Sequence, residues 1–119
     1  MIEIPDGATA WQIPFTIHDP INGEACDADS TPTVAFRYTD GASNGVATEV
    51  VGTVSTIGTG IYVLALDLDS AGPLPPSYIV TPIITAVVGG VTQKAPLESF
   101  RAGAMVLWGA VVADGSNTA

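Results

Sequence analysis

Carboxylates are the side chains in this sequence whose type and spacing could do chemistry. Asp67 and Asp69 flank Leu68, and because side chains alternate along a strand, the two would share one face of a sheet. Two carboxylates on facing walls of a cleft are what acid–base hydrolysis of a glycoside requires. Four further acidic residues crowd one stretch and could offer oxygen ligands to Ca²⁺: Asp19, Glu24, Asp27 and Asp29. That stretch lacks the EF-hand spacing, and Asp is common in turns as a backbone cap, so we predict no metal and no cofactor.

The other ligating or nucleophilic side chains occur singly. His18 is the only histidine, on the polar face at the end of a strand, and we expect a structural role for it. Cys26 is the only cysteine, so no intramolecular disulfide can form, and no neighbouring cation lowers the pKa of its thiol. The sequence has no G-x-S-x-G, H-E-x-x-H or C-x-x-C motif and no phosphate loop. We therefore predict that the chain is not an enzyme.

Aromatic side chains could form a stacking platform for sugars if they lay on the surface. Trp11 is in phase with Ile13, and Tyr62 is in phase with Leu64, which predicts that both rings face the core. Trp108 is the exception, since it suits an interface as well as a core. A carbohydrate-binding module therefore remains the alternative from a different functional class.

The elements that must position these side chains are short strands. Apolar and polar residues alternate from Trp11 to Ile17, and Tyr62, Leu64 and Leu66 share one face after the turn at residues 58–60. Asn-Gly at residues 22 and 23 and Gly-Gly at residues 89 and 90 supply the positive φ angles of tight turns. Seven or eight such strands, separated by turns, predict an all-β domain folded as a β-sandwich.

Prolines and one glycine predict irregular places in these strands. Pro14 cannot donate to a ladder, so its strand is expected at a sheet edge or at a bulge. Pro82 and Pro96 predict irregular pairing in the hairpin formed by residues 78–88 and 91–100. Gly52 is interpreted as a bulge.

Charge argues against two classes of partner. Twelve acidic residues against three Lys and Arg give a net charge of −9, which suits neither the phosphate backbone of nucleic acids nor an anionic membrane surface. The first residues have neither the basic start nor the apolar run of a signal peptide, and no apolar stretch reaches the length of a membrane helix. We therefore expect a protein made in a cytoplasm and soluble.

The segment at residues 104–113 is more apolar than a solvated tail should be. It follows an expected break at Ala102-Gly103, and as a strand it would place Val106, Trp108 and Val112 on one face. Two interpretations remain open. The segment either completes the sheet of its own domain or packs on a neighbouring copy as an arm.

Two motifs carry a family resemblance. The loop Asp19-x-x-x-Gly23 after a strand, followed by Gly58-x-Gly60-Ile-Tyr62-x-Leu64-x-Leu66, resembles immunoglobulin-like β-sandwich modules of tailed-bacteriophage virion proteins. The resemblance spans about residues 9–101. It implies an antiparallel sandwich at residues 9–101, an N-terminal arm at residues 1–8 and a strand or arm at residues 102–119.

The resemblance also implies a function. It suggests a non-enzymatic virion protein made in the host bacterial cytoplasm, and we expect a capsid decoration (cement) protein that stabilises the head shell. A small tail, neck or fibre-attachment protein is the alternative. The implied partners are the major capsid protein or other virion proteins, and further copies of the chain, as a trimer by analogy with decoration proteins. The residues expected to contact these partners are Ile2, Ile4, Met105, Leu107 and Trp108.

Overall fold

A computed structural model describes residues 1–5, 7–68 and 74–104 of the chain, and the backbone alone at residues 103 and 104. Nine strands form within these residues. They are β1 (Ile2–Pro5), β2 (Ala10–Thr16), β3 (Thr33–Thr39), β4 (Asn44–Val46), β5 (Val51–Gly58), β6 (Ile61–Asp67), β7 (Ile79–Val88), β8 (Val91–Pro96) and β9 (Phe100–Ala104). No helix occurs in the described ranges, and hence none there that is long and apolar enough to cross a membrane.

The strands form two sheets. The larger sheet has the order β1-β9-β7-β3-β4, with β8 paired to the second half of β7, and the smaller sheet has the order β2-β6-β5. All neighbours are antiparallel except β1 and β9, which run parallel. The predicted all-β sandwich is confirmed. Its described strands number nine because residues 2–5 form a strand and the last hairpin arm divides into β8 and β9.

The core lies between the sheets and is filled by alternate residues. Tyr62, Leu64 and Leu66 of β6 are buried, as the period of two predicts, and every second residue of β7 from Val80 to Val88 is buried as well. The largest side chains that are completely enclosed come from both sheets: Phe100, Ile4, Leu64, Val80 and Pro82. Burying each large aliphatic or aromatic side chain contributes roughly 1.5–3 kcal/mol to folding. The core therefore draws completely buried side chains from both sheets.

Gly52 marks a close approach between the sheets rather than a bulge. It pairs with Leu66 in regular register, and the register shift of β5 falls between Thr56 and Gly58. A Cβ atom on Gly52 would lie 2.7 Å from the Phe36 ring and 2.8 Å from a methyl group of Leu64. The bulge interpretation was wrong, since the glycine is required by packing against Phe36 of the opposite sheet and Leu64 of the same sheet.

Pro14 lies on an edge strand, as predicted. Ile17 donates its N–H to the Gly60 carbonyl at 2.8 Å, and the Thr9 carbonyl accepts from Leu68 at 3.0 Å. Odd-numbered residues of β2 thus direct their backbone N–H and C=O groups toward β6. The backbone groups of even-numbered residues, including Pro14, therefore point away from β6. No described strand pairs with that side of β2, and we call this side the outer edge of β2.

The hairpin of β7 and β8 is more regular than the prolines predicted. Pro82 pairs with Phe36 without a register shift, and Pro96 is the last residue of β8. The irregularity follows Pro96: Leu97 donates to the Pro82 carbonyl at 2.9 Å, and pairing resumes at Phe100, one residue out of register. The proline therefore divides one hairpin arm into two strands.

The ends of the described chain meet in the larger sheet. Residues 2–5, expected as an arm, form β1 and pair with β9 from Ile2↔Phe100 to Pro5↔Ala104. The expected break at Ala102-Gly103 is absent, because both residues lie inside β9. Both corrections have one cause, since each short strand provides the hydrogen-bonding edge that the other needs.

Candidate functional site

A groove lies beside the outer edge of β2. Its volume is about 260 Å³, and its walls come from the end of β2, the second half of β7, and β8 with the residues just after it. The lining residues are Phe15, Thr16, Ile17, His18, Ile84, Ala86, Gln93, Lys94, Ala95 and Leu97. Most of these side chains are apolar, so the groove can bind another apolar surface.

The groove exists because β8 has an uncovered inner face. Val91, Gln93 and Ala95 lie opposite Val88, Ala86 and Ile84 of β7 in the register, so they share the core-facing side of the sheet. The β7 residues are buried, whereas Val91 and Ala95 are exposed and Gln93 is half-buried. The smaller sheet has three described strands and ends at β2, which leaves this row on β8 open.

The polar groups at the groove are few. His18 is exposed, and its Nδ1 lies 3.1 Å from the Gly23 carbonyl oxygen, which is consistent with the structural role expected for it. Lys94 is the one Lys or Arg among the residues that line the groove. The groove thus provides no described pair of an acid and a base, and its chemistry is that of apolar contact.

Carboxylates of the acidic loop, residues 19–29, bind the backbone of turns. Asp27 accepts from the Gly60 N–H at 2.7 Å, and Asp29 accepts from the N–H groups of Gly89 and Gly90 at 3.0 and 2.9 Å. Both glycines of that turn have positive φ, as the Gly-Gly pair predicted. Asp19 caps its own turn, accepting from Ile21 N–H at 2.7 Å. These three carboxylates therefore have backbone N–H groups as hydrogen-bond partners.

No cluster of three or more possible metal ligands forms within the described part of the chain. Asp67 lies at the end of β6, half-buried, and its proposed partner Asp69 lies outside the described residues. Cys26 is half-buried. Its surroundings raise the pKa of its thiol, first through desolvation and then through the nearby negative charges of Asp19, Asp27 and Asp29. A raised pKa lowers the thiolate fraction, and the thiolate is the nucleophilic form of cysteine.

The aromatic rings considered as a platform for sugars lie against the core or against each other. Trp11 is half-buried against the core, and Tyr62 is buried, with its hydroxyl accepting from the Ala28 N–H at 2.9 Å. Tyr38 and Tyr78 stack face to face, with centroids 3.9 Å apart and planes inclined by 5°. A hydrogen bond with Tyr38 raises the pKa of Tyr78. Because these two rings cover each other, they do not present two coplanar faces to a ligand.

The residues expected to contact partners separate into two groups. Ile4 exposes none of its surface and Ile2 packs against the core, so Ile4 has a core role in place of the expected contact role. Met105, Leu107 and Trp108 lie outside the described residues. Sequence reasoning missed the groove. The signal that could have indicated it is the alternation of side chains along β8, which places Val91, Gln93 and Ala95 on one face.

In comparisons with known proteins, no protein-family model, no curated protein and no solved structure matches this chain.

Proposed function

We propose that this chain is a non-enzymatic structural protein of a bacteriophage virion, which acts by binding other subunits through apolar surface. The preferred role is that of a capsid decoration protein that reinforces the head shell. The proposal rests on the resemblance in sequence together with the following features of the sandwich.

The observation that carries the proposal is the packed core. Phe100 and Leu64 are completely buried, and Trp11 and Leu97 are among the residues that pack against their cluster. The described residues therefore supply packing partners for the core, and we take the apolar residues 105–113 as surface for association. Apolar surface that a domain does not need for its own core is available for association, at about 25 cal/mol per Å² buried.

The strand order supports the immunoglobulin-like part of the proposal. β2-β6-β5 corresponds to strands B-E-D of that fold, and β9-β7-β3 corresponds to strands G-F-C. The loops add rigidity, since Asp27 and Asp29 bind two turns at one end of the sandwich through three hydrogen bonds. A rigid module of this kind suits a protein that is present in many identical copies and contributes by multivalent contact.

Chemical roles find less support. The carboxylates of Asp19, Asp27 and Asp29 accept hydrogen bonds from backbone groups, and the groove brings no acid and base together. The stacked Tyr38 and Tyr78 rings argue against the carbohydrate-binding alternative. An assembly role is consistent with each of these observations.

Quantitative mass spectrometry of purified virions of the phage that encodes the chain tests the proposal. A decoration protein is expected at a copy number comparable to that of the major capsid protein. A copy number far below that of the major capsid protein would assign the chain to the tail, neck or fibre attachment instead. Absence of the chain from washed virions would contradict a structural role in the particle.

A further inference from the structure

We propose that the groove between β2 and β8 receives residues 105–113 of a second copy of this chain, as a strand added to the outer edge of β2. This inference rests on the proposed assembly function and identifies the docking site and its occupant.

The outer edge of β2 offers backbone groups to an added strand. Odd-numbered residues of β2 direct their backbone groups toward β6, as the bonds of Thr9 and Ile17 show. Even-numbered residues therefore direct theirs outward, where no described strand pairs with them. Pro14 lacks an N–H there, whereas Thr16 beside the groove has both an N–H and a carbonyl. An extended segment can therefore pair with the end of β2 next to the groove.

The groove itself suits an apolar strand. Ile17, Ile84 and Ala86 are buried at its floor, and Ala95 on the inner face of β8 is exposed. A strand added to β2 would extend the smaller sheet and cover that inner face. The volume of about 260 Å³ exceeds the roughly 150 Å³ of an engineered apolar cavity that binds benzene, so a large aromatic side chain has room.

Residues 105–113 match this site in composition and period. The segment Met-Val-Leu-Trp-Gly-Ala-Val-Val-Ala has no charged residue. In an extended conformation it would direct Val106, Trp108 and Val112 to one side, and alternate side chains are what an added strand inserts into pockets. Trp is also among the residues most often found as the energetic anchor of an interface.

The path of β9 favours a second copy as the donor. β9 runs antiparallel to β7, with Phe100 opposite Val80, and Ala104 lies four residues further toward the start of β7. The groove lies the other way, at Ile84 and Ala86. At about 3.3 Å per residue the two places are roughly 30 Å apart, so a chain turning back would use about nine residues before it arrived. The apolar segment of the same copy would be consumed on the way.

Two full-length variants and their mixture test the proposal by size-exclusion chromatography with light scattering. Ala95→Glu places a charge in the groove, and Trp108→Glu removes the anchor from the segment. We expect the unaltered chain to associate and each variant to elute as a 12.1 kDa monomer. An equimolar mixture should give a 1:1 complex and nothing larger, because one variant retains the segment and the other retains the groove.

Thr92→Glu is the matched control. Thr92 is exposed on β8, lies on the opposite face from Ala95 and does not line the groove. It adds the same charge and should leave association unchanged. Circular dichroism establishes that each variant is folded. If Ala95→Glu is not folded, Gln93→Arg carries the same test, because Gln93 also lines the groove.

Four results would overturn the inference. If Trp108→Glu is monomeric and Ala95→Glu still associates, the segment docks elsewhere, and the assembly function stands. If both are monomeric but their mixture gives no complex, no exchange between copies occurs. If Thr92→Glu is also monomeric, the loss is an effect of charge. If the unaltered chain is monomeric at high concentration, self-association is absent, and the copy number in virions then decides the proposed function independently.

Discussion

The two halves of β7 have the same alternating pattern but different surroundings. In the first half, Val80 and Pro82 are completely buried, and the strand is flanked by β3 on one side and β9 on the other. In the second half, Ile84 and Ala86 retain 5% and 8% of their exposure and line the groove next to β8. The difference teaches that a two-residue period shows which face of a strand is apolar. Whether that face is covered depends on the number of strands in the opposite sheet.

The largest expected effect comes from removing a completely buried side chain beside the first half of β7. Phe100→Ala should lower the free energy of unfolding by about 3–5 kcal/mol, because it removes a completely enclosed ring and leaves a cavity. Urea denaturation followed by circular dichroism measures this change. Val91→Ala, on the open face of β8, is the control. Its side chain is 51% exposed, so we expect a change within about 0.5 kcal/mol. Similar losses for the two variants would contradict the comparison.

A moderate effect is expected from adding side-chain volume to the packed core at Gly52, and a smaller one from adding it to the groove at Ala95. Gly52→Ala should destabilise the fold by about 1–3 kcal/mol, because its new Cβ would lie under 3 Å from Phe36 and Leu64. Ala95→Val adds more volume but points into the groove, where there is room, and should change stability by less than about 0.5 kcal/mol. Thermal unfolding of both variants gives the comparison. A stable Gly52→Ala variant would show that the sheets can separate at β5.

The smallest effect concerns the turn that follows β3. Asp40 accepts from the N–H groups of Ala42 and Ser43 at 2.9 and 2.8 Å, and these bonds lower the pKa of its carboxyl group. A lowered folded pKa contributes stability that is present above the pKa of the unfolded chain and is lost as the pH falls through the folded value. Asp40→Asn should therefore weaken the loss of stability on the acid side of the pH profile. Unfolding midpoints from neutral to acid pH measure it, and an unchanged acid slope would contradict the assignment.

Much of the fold could be predicted from local pattern. The alternation around Ile13 and Leu64 and the Gly-Gly turn fixed the strands and their buried faces, because these depend on neighbours in sequence. The role of Gly52 could not be predicted, since Phe36 approaches it from a distant strand. β1 was missed for a similar reason, because a four-residue strand becomes recognisable only beside its partner β9.

The candidate site was less accessible to sequence reasoning than the fold. The carboxylates were correctly expected to cap backbone groups, but the turn bound by Asp29 lies 60 residues further along the chain. The groove depends on the smaller sheet ending at β2, which no local pattern encodes. An exposed apolar row of this kind arises because the two sheets have different numbers of strands. A sequence interpreted one strand at a time does not reveal those numbers.

The parallel pairing of β1 with β9 has a consequence for biosynthesis. During translation β1 must wait for β9, which is made about 100 residues later, since Ile2 pairs with Phe100. During translation Ile4 therefore stays without its enclosing neighbours until residues 100–104 have left the exit tunnel. Contacts so distant in sequence also slow folding, because closing a long loop costs entropy before any contact repays it. The domain is therefore expected to acquire its native core late, once both β1 and β9 are available for pairing.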